Sequence, residues 1–213
     1  MRPHASKRRW ALAVLLVPTA TLAVFIVLVG ISSHGLDGKE GNPGSIVLSD
    51  VDLRIEQGQL YLDAEADVRL PATIQKGIDS GVSLDFILRL RFVEPHKYWF
   101  DNTLAQFEQR FSLSYYELTR HYRVQIVDTD SSRNYRSLTS ALRGLGSIER
   151  LPVMPESSSV SLVDDQLRFE GLAANVKGEL DFRLDVKSLP FPLQPLLTSS
   201  WQLASKEYSW LIN

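Results

Sequence analysis

Leu60-Tyr61-Leu62-Asp63-Ala64-Glu65-Ala66-Asp67-Val68-Arg69-Leu70 is the stretch that decides the architecture. Every even position is apolar, and every odd one is charged or carries the Tyr61 hydroxyl. Successive side chains of a strand point to opposite faces, so this spacing predicts a strand with one face in a core and one in water. A helix would scatter the same residues around its whole circumference.

The pattern recurs on both sides of that stretch. Upstream, Val47–Ile55 reads as a strand that turns at Gln57-Gly58 into the Leu60 strand. Downstream, Val82, Leu84, Phe86, Leu88, Leu90 and Phe92 alternate with Ser83, Asp85, Arg89 and Arg91. Phe107, Phe111, Leu113 and Tyr115 form a third series, and Tyr122, Val124 and Ile126 a fourth. Late in the chain Val176, Leu180, Phe182, Leu184 and Val186 alternate with Lys177, Glu179, Asp181, Arg183 and Asp185. One-sided strands of this kind belong to antiparallel sheets. The expected fold is mainly β: an antiparallel β-sandwich or curled sheet over residues 46–213.

Two short helices interrupt the strands. Ala72–Asp79 reads as one that ends near Gly81, and Leu138, Leu142 and Leu145 recur at helical spacing after Ser137, a residue suited to capping. Within Met154–Ala174 no element is assigned; Pro155 and Ser157–Ser159 read as a loop, with Leu167 and Phe169 as the residues that pin the stretch to the core. There is no internal repeat.

Before the domain, residues 10–31 carry no charge and consist mostly of Ala, Val, Leu and Ile. At about 1.5 Å per residue such a run spans a hydrocarbon core of roughly 30 Å, so it predicts an N-terminal transmembrane helix. Pro18 within it is tolerated in a membrane helix. Lys7, Arg8 and Arg9 flank its start and make residues 1–9 a basic cytoplasmic segment, with the remainder outside. A cleaved signal peptide, cut near Gly30-Ile31-Ser32, is the competing reading; the length of the apolar run favours the anchor. Residues 32–45, rich in Gly, Ser and Asp, read as a flexible tether.

Charge and composition narrow the function. The 213 residues carry a net −2, but Arg2, Lys7, Arg8 and Arg9 precede Gly35 with no acid among them. The remainder therefore holds 19 basic against 25 acidic residues, a net of −6. An acidic domain lacks the basic face that nucleic acids require, so no nucleic-acid partner is expected. The absence of cysteine excludes disulfides, thiolate nucleophiles and Cys-ligated metals.

No motif points to catalysis, to a cofactor or to a metal. His96 and His121 stand outside any metal-ligand spacing and read as a turn residue and a strand residue. Asp128-Thr129-Asp130-Ser131-Ser132 opens like a calcium loop but has Arg133 where the loop needs Gly, which leaves a polar hairpin turn. Asp63, Glu65 and Asp67 are spaced as the wet face of any half-solvated strand. A phosphate-cradling Gly-rich loop, a nucleophile elbow and a dinucleotide fingerprint are all missing, and no enzymatic activity is expected. Aromatic residues cluster twice, at Tyr98-Trp99-Phe100 and at Trp201, Tyr208 and Trp210. Aromatic clusters mark interfaces as well as cores, so these six residues are the candidate interaction surface. The run 189–195, with Leu189, Phe191 and Leu193 set among its three prolines, reads as a rigid connector covering a sheet edge.

The motifs taken in order carry a resemblance. They are Glu56-Gln57-Gly58-Gln59-Leu60-Tyr61-Leu62-Asp63-Ala64, Pro95-His96-Lys97-Tyr98-Trp99-Phe100-Asp101, Tyr115-Tyr116-Glu117-Leu118-Thr119, the run 189–195, Trp201-Gln202-Leu203-Ala204-Ser205 and Tyr208-Ser209-Trp210. This order resembles the DUF4390 family, proteobacterial membrane-anchored proteins of unknown function, over nearly the whole soluble part. Glu207 departs from it, standing where another aromatic residue is expected. The resemblance implies a bacterial inner-membrane protein with a periplasmic domain, and an envelope protein, such as a sensor kinase, as partner. It supplies no catalytic residues. Two functions follow as expectations: a non-catalytic protein-interaction module of the cell envelope, or a carrier holding a lipid or other apolar ligand between its sheets.

Overall fold

The Gln57-Gly58 turn forms as the sequence predicts. Both residues have positive φ, +54° and +75°, the geometry of the two-residue turn whose twist matches that of the strands it joins. It links β1 (Ser45–Glu56) to β2 (Gln59–Arg69). Residues 44–96, 101–127, 129, 131–154, 160–163, 166–169, 175–189 and 202–212 are described by this computed structural model. They belong to one unit, Gly41–Asn213. The expected basic segment, the expected membrane helix and the tether as far as residue 43 lie outside the described residues. Among those described, no helix is long and apolar enough to cross a membrane. Ser45, the last residue of the expected tether, pairs with Arg69 in the first rung of the sheet.

The strands form two main antiparallel sheets. The smaller has the order β1-β2-β7, with β7 at Ser147–Val153. The larger has the order β11-β10-β3-β4-β5-β6. Its members are β3 (Leu84–Glu94), β4 (Asn102–Tyr116), β5 (His121–Ile126), β6 (Ser132–Tyr135), β10 (Lys177–Leu184) and β11 (Tyr208–Leu211). A separate hairpin, β8 (Val160–Val163) with β9 (Gln166–Phe169), follows the expected loop at Pro155 and Ser157–Ser159, in a stretch to which the sequence assigns no element. Among the described residues, neither main sheet closes into a barrel.

The apolar faces of both sheets share one core. Leu60, Leu62, Ala64, Ala66 and Val68 of β2 join Leu84, Phe86, Leu88, Leu90 and Phe92 of β3 and Leu180, Phe182 and Leu184 of β10. Phe182 packs against Phe86 at 5.6 Å and edge-on to Phe111 at 6.0 Å. Each fully buried Phe or Leu contributes about 1.5–3 kcal/mol over leaving it in water. Phe169 meets Phe92 at 5.6 Å, which ties the β8–β9 hairpin to the core as its sequence suggests.

Two helices close the structure. Helix α1 (Ala72–Asp79) buries Ile74 and Ile78 and stops where Gly81 adopts a φ of +88°. The Tyr122 hydroxyl donates to Asp79 Oδ1 at 2.7 Å; burial first, and then Asp79, push this phenol up to about 12. Helix α2 (Leu138–Gly146) starts at Ser137, whose Oγ accepts from the Ser140 N–H at 3.2 Å. It packs chiefly on β2.

β2 is the pivot of the smaller sheet, because both neighbours bulge beside it. Between the pairs Ser49↔Glu65 and Asp52↔Asp63, three steps along β1 meet two along β2. Between Leu62↔Leu151 and Ala64↔Ile148, three steps along β7 meet two. Each bulge holds a residue with positive φ, Asp50 at 49° and Arg150 at 51°. Asp63 stands between the two. Its Oδ2 accepts from Arg54 Nε on β1 at 3.1 Å, and its Oδ1 accepts from the Arg150 N–H on β7 at 2.9 Å. Burial raises the Asp63 carboxyl, but the hydrogen bonds from Arg54 and the Arg150 N–H together outweigh it, so its pKa lies below the usual value. A carboxylate that reads as surface decoration in the sequence is therefore the clasp across three strands.

The outer face of the larger sheet is charged but not simply wet. Register partners form ion pairs: Arg89 with Asp181 at 2.7 Å and Arg91 with Glu179 at 2.8 Å. Asp181 and Glu179 are each only 9% exposed. That departs from the expected water-facing row and has a physical reason, since a carboxylate can leave water when a guanidinium replaces it.

Candidate functional site: the open seam between β1 and β11

Each sheet of a two-sheet domain has two edges, so the domain has two seams. Here β1 is an edge of the smaller sheet and β11 an edge of the larger. Both border a groove of about 660 Å³. Val51, Leu53 and Ile55 of β1 form one wall. Trp210, Leu211 and the adjoining Ile212 form the other, with Leu60 and Leu167 at the floor and end.

The bulge in β1 creates that first wall. Before it, Ile46 and Leu48 face inward; after it, Val51, Leu53 and Ile55 do, because the extra residue shifts the parity. These three are half-buried and pack against the core with part of their surface left over. The second wall depends on a glycine. Trp210 pairs with Gly178, and a Cβ on Gly178 would lie 2.5 Å from the indole ring. The ring therefore lies directly on the β10 backbone, half-buried, with Tyr208 beside it at 5.9 Å between centroids. Tyr208 is 39% exposed and Leu211 58%.

The edge segment before β11 is anchored from the other face. Leu184 N–H donates to the Leu203 carbonyl at 2.8 Å, and Ser205 N–H to the Phe182 carbonyl at 2.8 Å. From Arg183↔Ala204 to Leu180↔Tyr208, three steps along β10 meet four along the edge. Glu207 lies in that slip, and its carboxylate reaches Arg91 at 2.5 Å. Arg91 thus serves two carboxylates. Burial, followed by Glu207, pushes Glu179 above the usual carboxylate range against the pull of Arg91. The departure of Glu207 from an aromatic residue has this consequence: position 207 latches the edge rather than extending the aromatic cluster.

Of the six candidate surface residues, the structure places Tyr208 and Trp210 together on β11. Tyr98, Trp99, Phe100 and Trp201 lie outside the described residues. The same holds for residues 190–195 of the expected connector, whereas Leu189 is buried in the core. Val51, Leu53 and Ile55 are groove residues that the sequence reading did not single out, and Leu167, expected as a core contact, lines the groove as well. The signal was present in the parity change between Leu48 and Val51, which marks a bulge on a strand.

The remaining candidates resolve into local structure. Each described histidine donates its Nδ1–H to a carbonyl two residues earlier, His96 to Glu94 at 3.1 Å and His121 to Thr119. The turn between β5 and β6 is a polar hairpin, in which Thr129 Oγ1 donates to the Ile126 carbonyl at 3.0 Å. Among the described residues, no three His, Asp or Glu side chains gather as metal ligands.

A half-open antiparallel β-domain with an apolar seam is the class this geometry defines. Residues 44–211 match the model of DUF4390, a domain of unknown function, and the chain belongs to that family. No curated protein and no solved structure matches the chain.

Proposed function

We propose that this chain is a non-catalytic protein-interaction module, held at the bacterial inner membrane by residues 10–31 with its β-domain in the periplasm. The observation that carries the reading is the β1–β11 seam, where half-buried aliphatic side chains and an indole line an open groove beside exposed Tyr208 and Leu211. Aromatic and aliphatic surface left open beside unpaired strands is what docking sites are made of. The charge-free run and its basic flank support the anchor. An envelope protein is the partner class, and a sensor kinase is the first to look for.

The test is co-purification of the full chain from detergent-solubilised membranes. The wild type is expected to retain a specific protein that Leu211→Lys loses at least tenfold. Repeated recovery of no specific partner would contradict the reading.

One observation favours a second function, an apolar-ligand carrier: the groove volume lies within the range of about 300–1,000 Å³ typical of small-molecule sites. Solvent extraction of the purified chain separates the two. A stoichiometric lipid favours the carrier, and its absence favours the module.

A further inference from the structure

The two walls of the seam differ in kind from a lipid pocket. Each is a strand edge. Among the described residues β1 pairs only with β2, and β11 only with β10. A strand edge carries backbone N–H and C=O groups that an acyl chain leaves dry, at a cost in every contact. An extended peptide satisfies them while its alternate side chains enter the groove.

The rim adds a charge preference. Asp52 is the one charged side chain among the described groove residues, and it is 64% exposed. Its ion pair with Arg54 is loose, at 3.5 Å, because Arg54 is bound more closely to Asp63. Asp50 stands exposed on the adjacent bulge. The domain as a whole is acidic.

Resting on the interaction-module reading, we infer that the seam receives an extended segment of a partner protein, added as a strand along β1. The segment has apolar residues at alternate positions and a Lys or Arg set against Asp52. From Val51 to Ile55 the wall runs roughly 13 Å at about 3.3 Å per residue, which accommodates four to about five residues of such a strand. The bulge at Asp50 limits pairing to this side of it, so the site is short and specific rather than a general template for aggregation.

Site-specific photo-crosslinking in living cells tests this on the full, membrane-held chain. A photoreactive amino acid replaces Leu211 or Gln166 at the seam, and Leu118, fully exposed at the β4–β5 turn, serves as the control position. The expected result is one protein adduct shared by both seam positions. Its cross-linked peptide should map to an alternating segment with a basic residue. Asp52→Lys should lower adduct yield at least tenfold, and reversing the partner's basic residue to Glu should restore it. Lipid adducts, adducts to a second copy of this chain, or no seam adduct would each overturn the inference. Protein adducts at Leu118 without any at the seam would sink the inference while leaving the interaction module standing; no protein adduct at any position would count against both.

Discussion

The two seams of this domain are built from similar strands and finished differently. On one side, β5, β6 and β7 line one small cavity, and helix α2 packs over the join, touching β2, β5, β6 and β7. Two glycines let it sit that close. A Cβ on Gly146 would fall 1.9 Å from the Ala66 carbonyl oxygen, and one on Gly144 would strike the Tyr135 ring. The space left between β5, β6, β7 and Gly144 is only about 60 Å³, although a wider groove of about 710 Å³ lies between α2, β2 and α1. On the other side, β1 and β11 frame a groove of about 660 Å³, and among the described residues no helix crosses it. The sealed seam shows that this chain has the means to close a join. Among the described residues the other stays open, held in shape by the β1 bulge, the Gly178 notch and the Glu207–Arg91 latch.

The largest expected effect comes from breaking the sealed side. Gly146→Val forces a branched side chain against the β2 backbone, and denaturant unfolding should show a loss of about 3 kcal/mol, at the upper end of overpacking penalties. Next comes the clasp that joins the two sides. Asp63→Ala strands the Arg150 N–H at neutral pH, a loss of about 1–2 kcal/mol in which the exposed Arg54 has little share. Asp63 has a lowered pKa in the folded chain, so its contribution is complete above the ordinary value of 3.8 and disappears as pH falls through the folded one. Unfolding measured down the pH scale should show the gap between wild type and Asp63→Ala shrinking below that value.

Smaller effects belong to the open side. Gly178→Ala displaces Trp210 from the β10 backbone, and because an edge strand can yield, the cost in unfolding free energy should be about 1 kcal/mol. Glu179 has the opposite sign to Asp63. Its folded pKa is raised, so the wild type's stability should fall relative to Glu179→Gln as pH rises above the ordinary 4.5. Leu211→Lys should move stability by less than about 0.5 kcal/mol, since the side chain is mostly in water, while abolishing partner retention. That dissociation of binding from stability would sharpen the contrast between the seams most cleanly.

Period-two alternation made β2, β3, β4, β5 and β10 legible, because each has one face in a core and one outside it. Ser137 announced α2, and Gln57-Gly58 announced the hairpin. β7 escaped the reading for a definite reason: its bulge at Arg150 breaks the alternation between Ile148 and Leu151, and Pro152 argues against a strand. β6, β8, β9 and β11 escaped because four residues are too few to display a period. The candidate site was half legible. Trp210 and Tyr208 drew notice as aromatics, but their partners across the groove are ordinary aliphatics of β1, and only the pairing of sheets brings them together.

Thiol labelling of single-cysteine variants tests the difference between the seams most directly, because the chain has no cysteine of its own. Leu53→Cys on the open side and Ile148→Cys on the sealed side are compared in the purified chain with a water-soluble maleimide. Local opening controls access at a buried site, so Leu53→Cys should react at least about a hundredfold faster than Ile148→Cys. Equal, slow labelling at both positions would mean that the β1–β11 seam is closed core and would contradict the account.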